Sequence, residues 1–385
     1  MQINIHSQIE QITAKDWNSL VKDNNPFLRH EFLSALENHG CVSDEFGWRP
    51  CHISIYENDT LLGVMPLYTK KNSYGEFVFD HAWADAYQRN QIPYFPKLVS
   101  SIPYAPVSGQ RLLCLDKDAE RIYPMLIKTA QQFANEQNYS SFHCLFPLSN
   151  EQEWMNEFGL FTRHDCQFHW NNNNYQSFDD FLAKLEKKKR KNIRQERKRV
   201  NQQNISLRRL SGHTASPKDW QDFARFYQQT FAEKHGTATL NEGFFKEIAE
   251  KLPSQTLLIL ADNENGECIA GSLMFASDTT LYGRHWGCTE QVDKLHFEAC
   301  YYQGIEYCIE HKLQVFEPGA QGEHKIARGF IPTLTRSSHW LNNSPFEPAI
   351  LDYVGHEKEA ITDYMKTLKS PYKASPSSKE VNKNE

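Results

Sequence analysis

Thr256–Gly287 reads TLLILADNENGECIAGSLMFASDTTLYGRHWG. Three apolar runs, Thr256–Ala261, Cys268–Ala276 and Thr280–Gly287, are separated by the turn residues Asn263–Gly266 and Ser277–Asp278, a pattern that predicts three strands. Apolar residues then recur at helical spacing over Phe297–His311, and Gln314–Glu317 returns to a strand pattern. Strand, helix, strand in this order is a crossover unit whose strand ends and connecting loops are natural ligand sites. Upstream, Ile205–Leu210 reads as a strand and Lys218–Lys234 and Glu242–Leu252 as helices; downstream, Leu334–Leu341 reads as a strand. The second half therefore runs β, α, α, β, β, β, α, β, with a final strand.

The first half is also mixed α/β. A helix is expected at Arg29–His39 and another at Ile122–Gln137, with strands at Cys51–Tyr56, Leu61–Tyr68, Glu76–Phe79 and Ser141–Phe146. The Pro-, Tyr- and Trp-rich stretch 80–111 has poor periodicity and reads as a long ordered loop, which in a compact domain is usually functional. ENDTLLGVMPLY (57–68) and ENGECIAGSLMF (264–275) share an acidic turn, an apolar pair and a glycine at one offset, Gly63 matching Gly271. Two ordinary hairpins would give the same echo. The expected organisation is an N-terminal domain, 1–165, a C-terminal domain, 166–370, with a helix over 178–202, and a disordered tail, 371–385, that lacks apolar content.

A chain of 385 residues exceeds what one core usually supports, while 39 % apolar and 13 % aromatic residues suffice for two. The nine cysteines are scattered and form no CxxC, and no HExxH occurs, so neither a disulfide framework nor a metal site is expected. No stretch approaches the roughly 18 apolar residues of a membrane helix, and the opening MQINIHSQIEQITAKDW lacks a signal-peptide pattern. A cytoplasmic protein is the expectation.

Residues 184–199 hold ten Lys or Arg against Glu186 and Glu196, a local charge of +8 in a chain of net −6. Phe178, Phe181, Leu182 and Leu185 begin a helical pattern, with Ser177 as N-cap, that runs through the basic stretch towards Val200. Lys184, Lys187, Lys191, Arg194 and Lys198 then share one helix face, with Arg190 and Arg197 beside them. Such a face would grip tRNA phosphates or another polyanion; a solvated charged face is the plainer reading.

VFEPGAQGEHKIARGF (315–330) joins two glycines to an acid/base inventory: Glu317 or His324 as proton acceptor, Lys325 and Arg328 as ligands for carboxylate or phosphate. Strict alternation places Tyr282, Arg284 and Trp286 on one strand face, as substrate-binding candidates, and His285 on the other, as a core residue or a catalytic one. In the first half, Asp80, His81, Trp83, Asp85, Tyr94 and Lys97 interleave aromatic and charged groups in a manner that suits a sugar or peptide acceptor, or that ties a long loop to its domain.

HEFLSALENHG (30–40), GWRPCHISIYENDTLLGVMPLYTK (47–70), GEFVFDHAWADAY (75–87), YFPKL (94–98), LEKKKRKNIRQERKRV (185–200) and VFEPGAQGEHKIARGF together resemble the FemAB-like family. This is a branch of the GCN5-related N-acetyltransferase (GNAT) superfamily of bacterial peptidoglycan-related proteins, and the likeness extends over about Phe27–Pro371. It implies two tandem GNAT-like α/β domains, each a twisted mixed sheet flanked by helices. It also implies acyl transfer to a small-molecule or peptide amine, such as a cell-wall precursor at a membrane surface, from aminoacyl-tRNA or acyl-CoA as co-substrate, with no tightly bound cofactor. Acetyl-CoA users of the superfamily carry Q/R-x-x-G-x-G/A after the fourth strand. GCTEQVDKLHFEA (287–299) lacks those glycines, which hinders close approach to a pyrophosphate. An RNA- or polyanion-binding protein without catalysis, built on 184–199, is the competing reading, and a degenerate transferase kept as a scaffold is a third.

Overall fold

The computed structural model describes residues 1–320 and 322–373. They form two compact units: Met1–Cys166 with Thr237–Thr256 and Leu334–Asp363, and Gln167–Gly236 with Leu257–Thr333 and the segment from Tyr364. The chain passes from the first unit to the second at 166/167, but 237–256 and 334–363 return to the first. Part of the reason is packing: the helix Glu242–Lys251 lies against His30–Asn38, with Phe32 and Phe244 edge to face at 5.6 Å.

The first unit has a four-stranded antiparallel sheet in the order Gln2–His6, His52–Glu57, Thr60–Met65, Leu113–Cys114. A second, mixed sheet pairs Trp48–Pro50, Tyr68–Lys70, Lys97–Ser100, Ser141–Leu145 and the end of Ile331–Leu341. Lys97–Ser100 and Ser141–Leu145 run parallel because the helix Ala119–Glu136 crosses between them. That helix buries Ile122, Leu126, Ile127 and Ala130 against Ile53, Ile55, Leu98 and Phe142. Two expectations fail here. Glu76–Phe79 is not a strand, because Glu76 and neighbouring polar groups are turned inward onto Lys97. The stretch read as a loop contains the helix His81–Arg89 and the strand Lys97–Ser100, the first amphipathic through Trp83 and Tyr87.

In the second unit, Ser206–Ser211, Thr256–Asp262, Cys268–Ala276, Thr280–Cys288, Val315–Glu317 and the end of Phe161–Asn171 are neighbours in that order. Thr280–Cys288 and Val315–Glu317 are parallel, joined by a helix over Leu295–Glu310 with a π turn at Glu298–Tyr302. Each unit thus contains a parallel βαβ crossover, as the GNAT-like reading requires. The echo of Gly63 and Gly271 also has a packing cause. A Cβ on Gly63 would lie 2.3 Å from Ile122 of the covering helix, and one on Gly271 would lie 3.0 Å from Phe223 of the helix Pro217–Glu233.

The helix expected over 178–202 is two: Phe178–Lys184 and Lys187–Asn201. Leu185 and Glu186 are extended, since Leu185 forms an antiparallel bridge with Tyr372 and Glu186 N–H donates to Pro371. Pro371–Lys373 are therefore held rather than disordered; the rest of the expected tail, 374–385, lies outside the described residues. All nine cysteines are free thiols. Among the described residues no helix is long and apolar enough to cross a membrane, and no group of His, Cys, Asp and Glu is placed to hold a metal.

Candidate functional site

Parallel pairing of Thr280–Cys288 with Val315–Glu317 ends at Tyr282 and Glu317, after which the longer strand runs on for six residues. Into that opening come Pro318 and Gly319. Gly283 permits the approach, because a Cβ there would lie 3.2 Å from Pro318 Cα. Gly319 and Gly322, at φ 99° and 117°, take conformations that side chains disfavour, as expected of glycines at a tight turn.

Lys325 lies in the 3₁₀ helix Glu323–Arg328 and is 2 % exposed, its Nζ donating to Gly319 O at 2.7 Å. Burial, with Arg284 nearby, pushes its ammonium down to about 8. Burial also lowers the Arg284 guanidinium, to about 10, against the opposing attraction of Glu317. Glu317 is itself 7 % exposed. Electrostatic coupling links Glu317 to Arg284, Arg284 to Lys325 and Lys325 to His169, which burial and Lys325 push down to about 4.

Arg328 plays another part from the one expected. It donates to His324 O at 2.7 Å and to Glu196 Oε1 at 2.8 Å, and its guanidinium stacks 3.4 Å from the Phe297 ring centre. So engaged, it anchors the turn rather than offering itself to a ligand. His324 is exposed at the rim and shares a hydrogen bond with Tyr301 OH at 2.9 Å; burial and the two cations lower it. Tyr301 and Tyr302, which also donates to Glu196, both come from the π turn, a feature frequent at functional sites.

The expected alternation along 282–286 is overturned by a β-bulge. Leu273 pairs with His285 and Met274 with Gly283, leaving Arg284 as the extra residue. Phe275 and Leu273 share a face, so their partners Tyr282 and His285 do too, and Trp286 moves to the other. His285 is half-buried, packs edge-on to Tyr227 at 5.0 Å, and burial pushes it down to about 3, so it is neutral. Trp286 meets His296 at 5.4 Å.

On the basic helix, Lys187, Lys191 and Lys198 are exposed, and Arg190 is half-buried. Arg194 pairs with Asp179 at the surface, and Arg197 is held by Glu298 and Glu306 at 2.9 and 2.6 Å. Lys184 belongs to the preceding helix, so the expected continuous stripe starts at Lys187.

Asp80, Trp83, Tyr94 and Lys97 do converge, inside the first unit. Lys97 is fully buried, donating to Glu76 at 2.8 Å, to Ser73 at 3.2 Å and to Asp80, while Tyr94 OH also donates to Asp80. Asp80 is lowered to about 2 by Lys97 and its hydrogen bonds despite burial, whereas Glu76 is raised to about 7 by burial. Trp83 lies under the Arg163 guanidinium at 4.8 Å; His81 and Asp85 are outside the network, both at exposed positions. Sequence reasoning missed Lys70, Glu76, His143, His339, Arg163 and, in the second unit, Glu196 and Tyr301. A signal existed for the histidines: SFHCL (141–145) and SSHWL (337–341) repeat Ser-x-His, and the strands pair His143 directly with His339.

The model of the FemAB-like family, described as peptidoglycan biosynthesis/recognition, matches residues 8–374. Among solved structures, FemX is similar at 12 % identity and TM-score 0.55, covering 91 % of this chain and 100 % of its own. L-PGS from Bacillus licheniformis has 10 % identity and TM-score 0.53, covering 85 % and 96 %. The C-terminal domain of a putative lysylphosphatidylglycerol synthetase from Agrobacterium fabrum has 8 % identity and TM-score 0.54, covering 94 % and 98 %. At such identities the likeness is one of fold. Among curated proteins, none matches the sequence.

Proposed function

The chain belongs to the FemAB-like family, and from that premise we propose that its second unit transfers an acyl or aminoacyl group to the amine of a cell-wall precursor peptide. The observation that carries this reading is Lys325: a buried lysine at the open end of a parallel strand pair, with an affinity for protons brought down to about 8. In the transfer, the amine nitrogen attacks the acyl carbonyl, the bond to the donor oxygen or sulfur breaks, and the amine's proton ends on the leaving group. Neutral Lys325 accepts that proton and returns it. Arg284, held at the strand end, faces the developing oxyanion, and Glu317 keeps the guanidinium oriented. Glu317 and His324, the bases expected from sequence, become a positioning group and a rim group.

An aminoacyl-tRNA donor suits the exposed lysines of the helix Lys187–Asn201 better than acyl-CoA does, since 287–299 lacks pyrophosphate-binding glycines. The test supplies purified protein with radiolabelled aminoacyl-tRNA, or labelled acetyl-CoA, and a muropeptide amine. Label in the peptide with one donor, abolished by Lys325→Met in a folded protein, supports the reading. Equal transfer by Lys325→Met removes Lys325 from the chemistry. Tight RNA binding with no transfer from either donor favours a binding protein built on the exposed lysines.

A further inference from the structure

The first unit holds a cluster that the transfer reading does not use. Lys70 and Lys97 are direct cross-strand partners and both are fully buried. Lys70 donates to Asn72 Oδ1 at 3.3 Å and to Tyr74 O at 3.0 Å. Lys97 donates to Ser73, Glu76 and Asp80. Every one of these acceptors lies in a single segment, Asn72–Asp80. Arg163 takes hold of the same segment further along, donating to Phe79 O at 3.0 Å while its remaining nitrogens engage Glu357.

This segment is folded inside out. Glu76 and Asp80 are each 3 % exposed, whereas Tyr74, Phe77 and Phe79 stand 77 %, 37 % and 58 % exposed. Hydrophobic burial alone would place it the other way round. Phe77 sits at φ 61°, a conformation costly for a bulky residue and tolerated where surrounding contacts impose it. The fit is also incomplete: among the described residues Glu76 Oε1 and the Trp83 indole N–H are buried without a hydrogen-bond partner. What lies on Lys97, Arg163 and Lys70, the last pushed down to about 7 by burial, is thus a stretch of peptide presenting two carboxylates, a hydroxyl and backbone carbonyls.

We propose that Lys70, Lys97 and Arg163 form a binding site for an acidic peptide, which Asn72–Asp80 occupies as a tethered internal ligand that an incoming peptide displaces. The site rests on the first unit alone and stands or falls independently of acyl transfer. A tether keeps its own segment at a local concentration in the millimolar range, so displacement from the native chain is weak.

The test is calorimetric titration of the full chain with the synthetic hexapeptide GEFVFD, which copies Gly75–Asp80, and with GQFVFN, which carries no acidic side chain. Glu76→Gln weakens the internal ligand while leaving Asp80 to pair with Lys97. It is expected to bind GEFVFD at least tenfold more tightly than the native chain does, and GQFVFN at least tenfold less tightly than GEFVFD. In the same variant, acetic anhydride should label Lys97, which loses its Glu76 partner, faster than in the native chain, and saturating GEFVFD should suppress that labelling. A folded Glu76→Gln protein that binds GEFVFD no more tightly than the native chain overturns the proposal, as does equal binding of the two peptides or a Lys97 no more reactive than in the native chain.

Discussion

Arg328 Nη2 donates to Glu196 Oε1 at 2.8 Å, so an acid embedded in the basic run ties that run to the turn that follows Glu317. Tyr302 OH donates to the other carboxylate oxygen. The two motifs that stood apart in sequence are one assembly, and the acid among the bases is its joint.

Glu196→Ala should therefore act on the turn rather than on surface charge. It leaves a mostly buried guanidinium, 8 % exposed, without its carboxylate, and removing one partner of a buried pair costs about 3 kcal/mol. Urea denaturation should show that loss, and Arg328→Met in the Glu196→Ala background should recover part of it. Equal stability of Glu196→Ala and the native chain would mean that the pair contributes nothing.

Lys325→Met separates chemistry from stability. The lysine holds its proton up to 10.5 when unfolded but only to about 8 in the fold, so the unfolded chain binds more protons and burying it opposes folding below about pH 8. That penalty lessens as pH rises towards 10.5. The methionine variant should be more stable at pH 7, by on the order of 1 to 3 kcal/mol, yet slower in transfer by about 100-fold or more. Native turnover should rise with pH through about 8 and then level off. A pH-independent rate between 6.5 and 9 would show that no lysine proton is taken in the limiting step.

The crossover Thr280–Glu317, both glycine-rich turn positions and the exposed lysines were legible because each follows from local pattern. What escaped was decided by distant partners. Nothing within Thr280–Cys288 announces a bulge; it follows from the pairing with Cys268–Ala276. The helical pattern through Leu185 is real, but Tyr372, almost 190 residues on, recruits Leu185 into a bridge. Glu76–Phe79 alternates like a strand, yet Lys97 and Arg163 bind its oxygens and force its aromatic rings outward. Electrostatic burial leaves little trace in a hydrophobic pattern.

The exposed lysines should govern polyanion binding while Arg197 does not. Lys187, Lys191 and Lys198 have no ion-pair partner among the described residues, whereas Arg197 is fixed by two glutamates. Replacing the three lysines with glutamine should flatten the dependence of log K on log salt by roughly 2 to 3, at about 0.7 to 0.9 for each phosphate left unneutralised. Arg197→Gln should leave that slope unchanged and lower stability instead. Fluorescence anisotropy with labelled RNA at four salt concentrations checks both, and an unchanged slope in the triple variant would remove the helix from any role in binding polyanions.

Acid should loosen the second unit through histidines that burial keeps neutral. Burial holds His169, His285 and His296 down to about 4, 3 and 4, against 6.5 for a free histidine. Between those limits the unfolded chain binds protons that the folded unit refuses, so the stability these histidines allow is at its full value above pH 6.5 and declines as pH falls. At pH 5 the decline is at most roughly 2 kcal/mol for each histidine. Glu76 and Glu151 in the first unit, raised to about 7 by burial, act in the opposite sense over the same range. The informative quantity is therefore the difference between the native chain and His285→Phe, which keeps an aromatic ring against Tyr227 and cannot be protonated. That difference should favour the variant progressively as pH falls from 6.5 to 5, read as the shift in urea midpoint. A constant difference across the range would mean that His285 takes up its proton in the fold as readily as in water, and that the strand is open to solvent at that position.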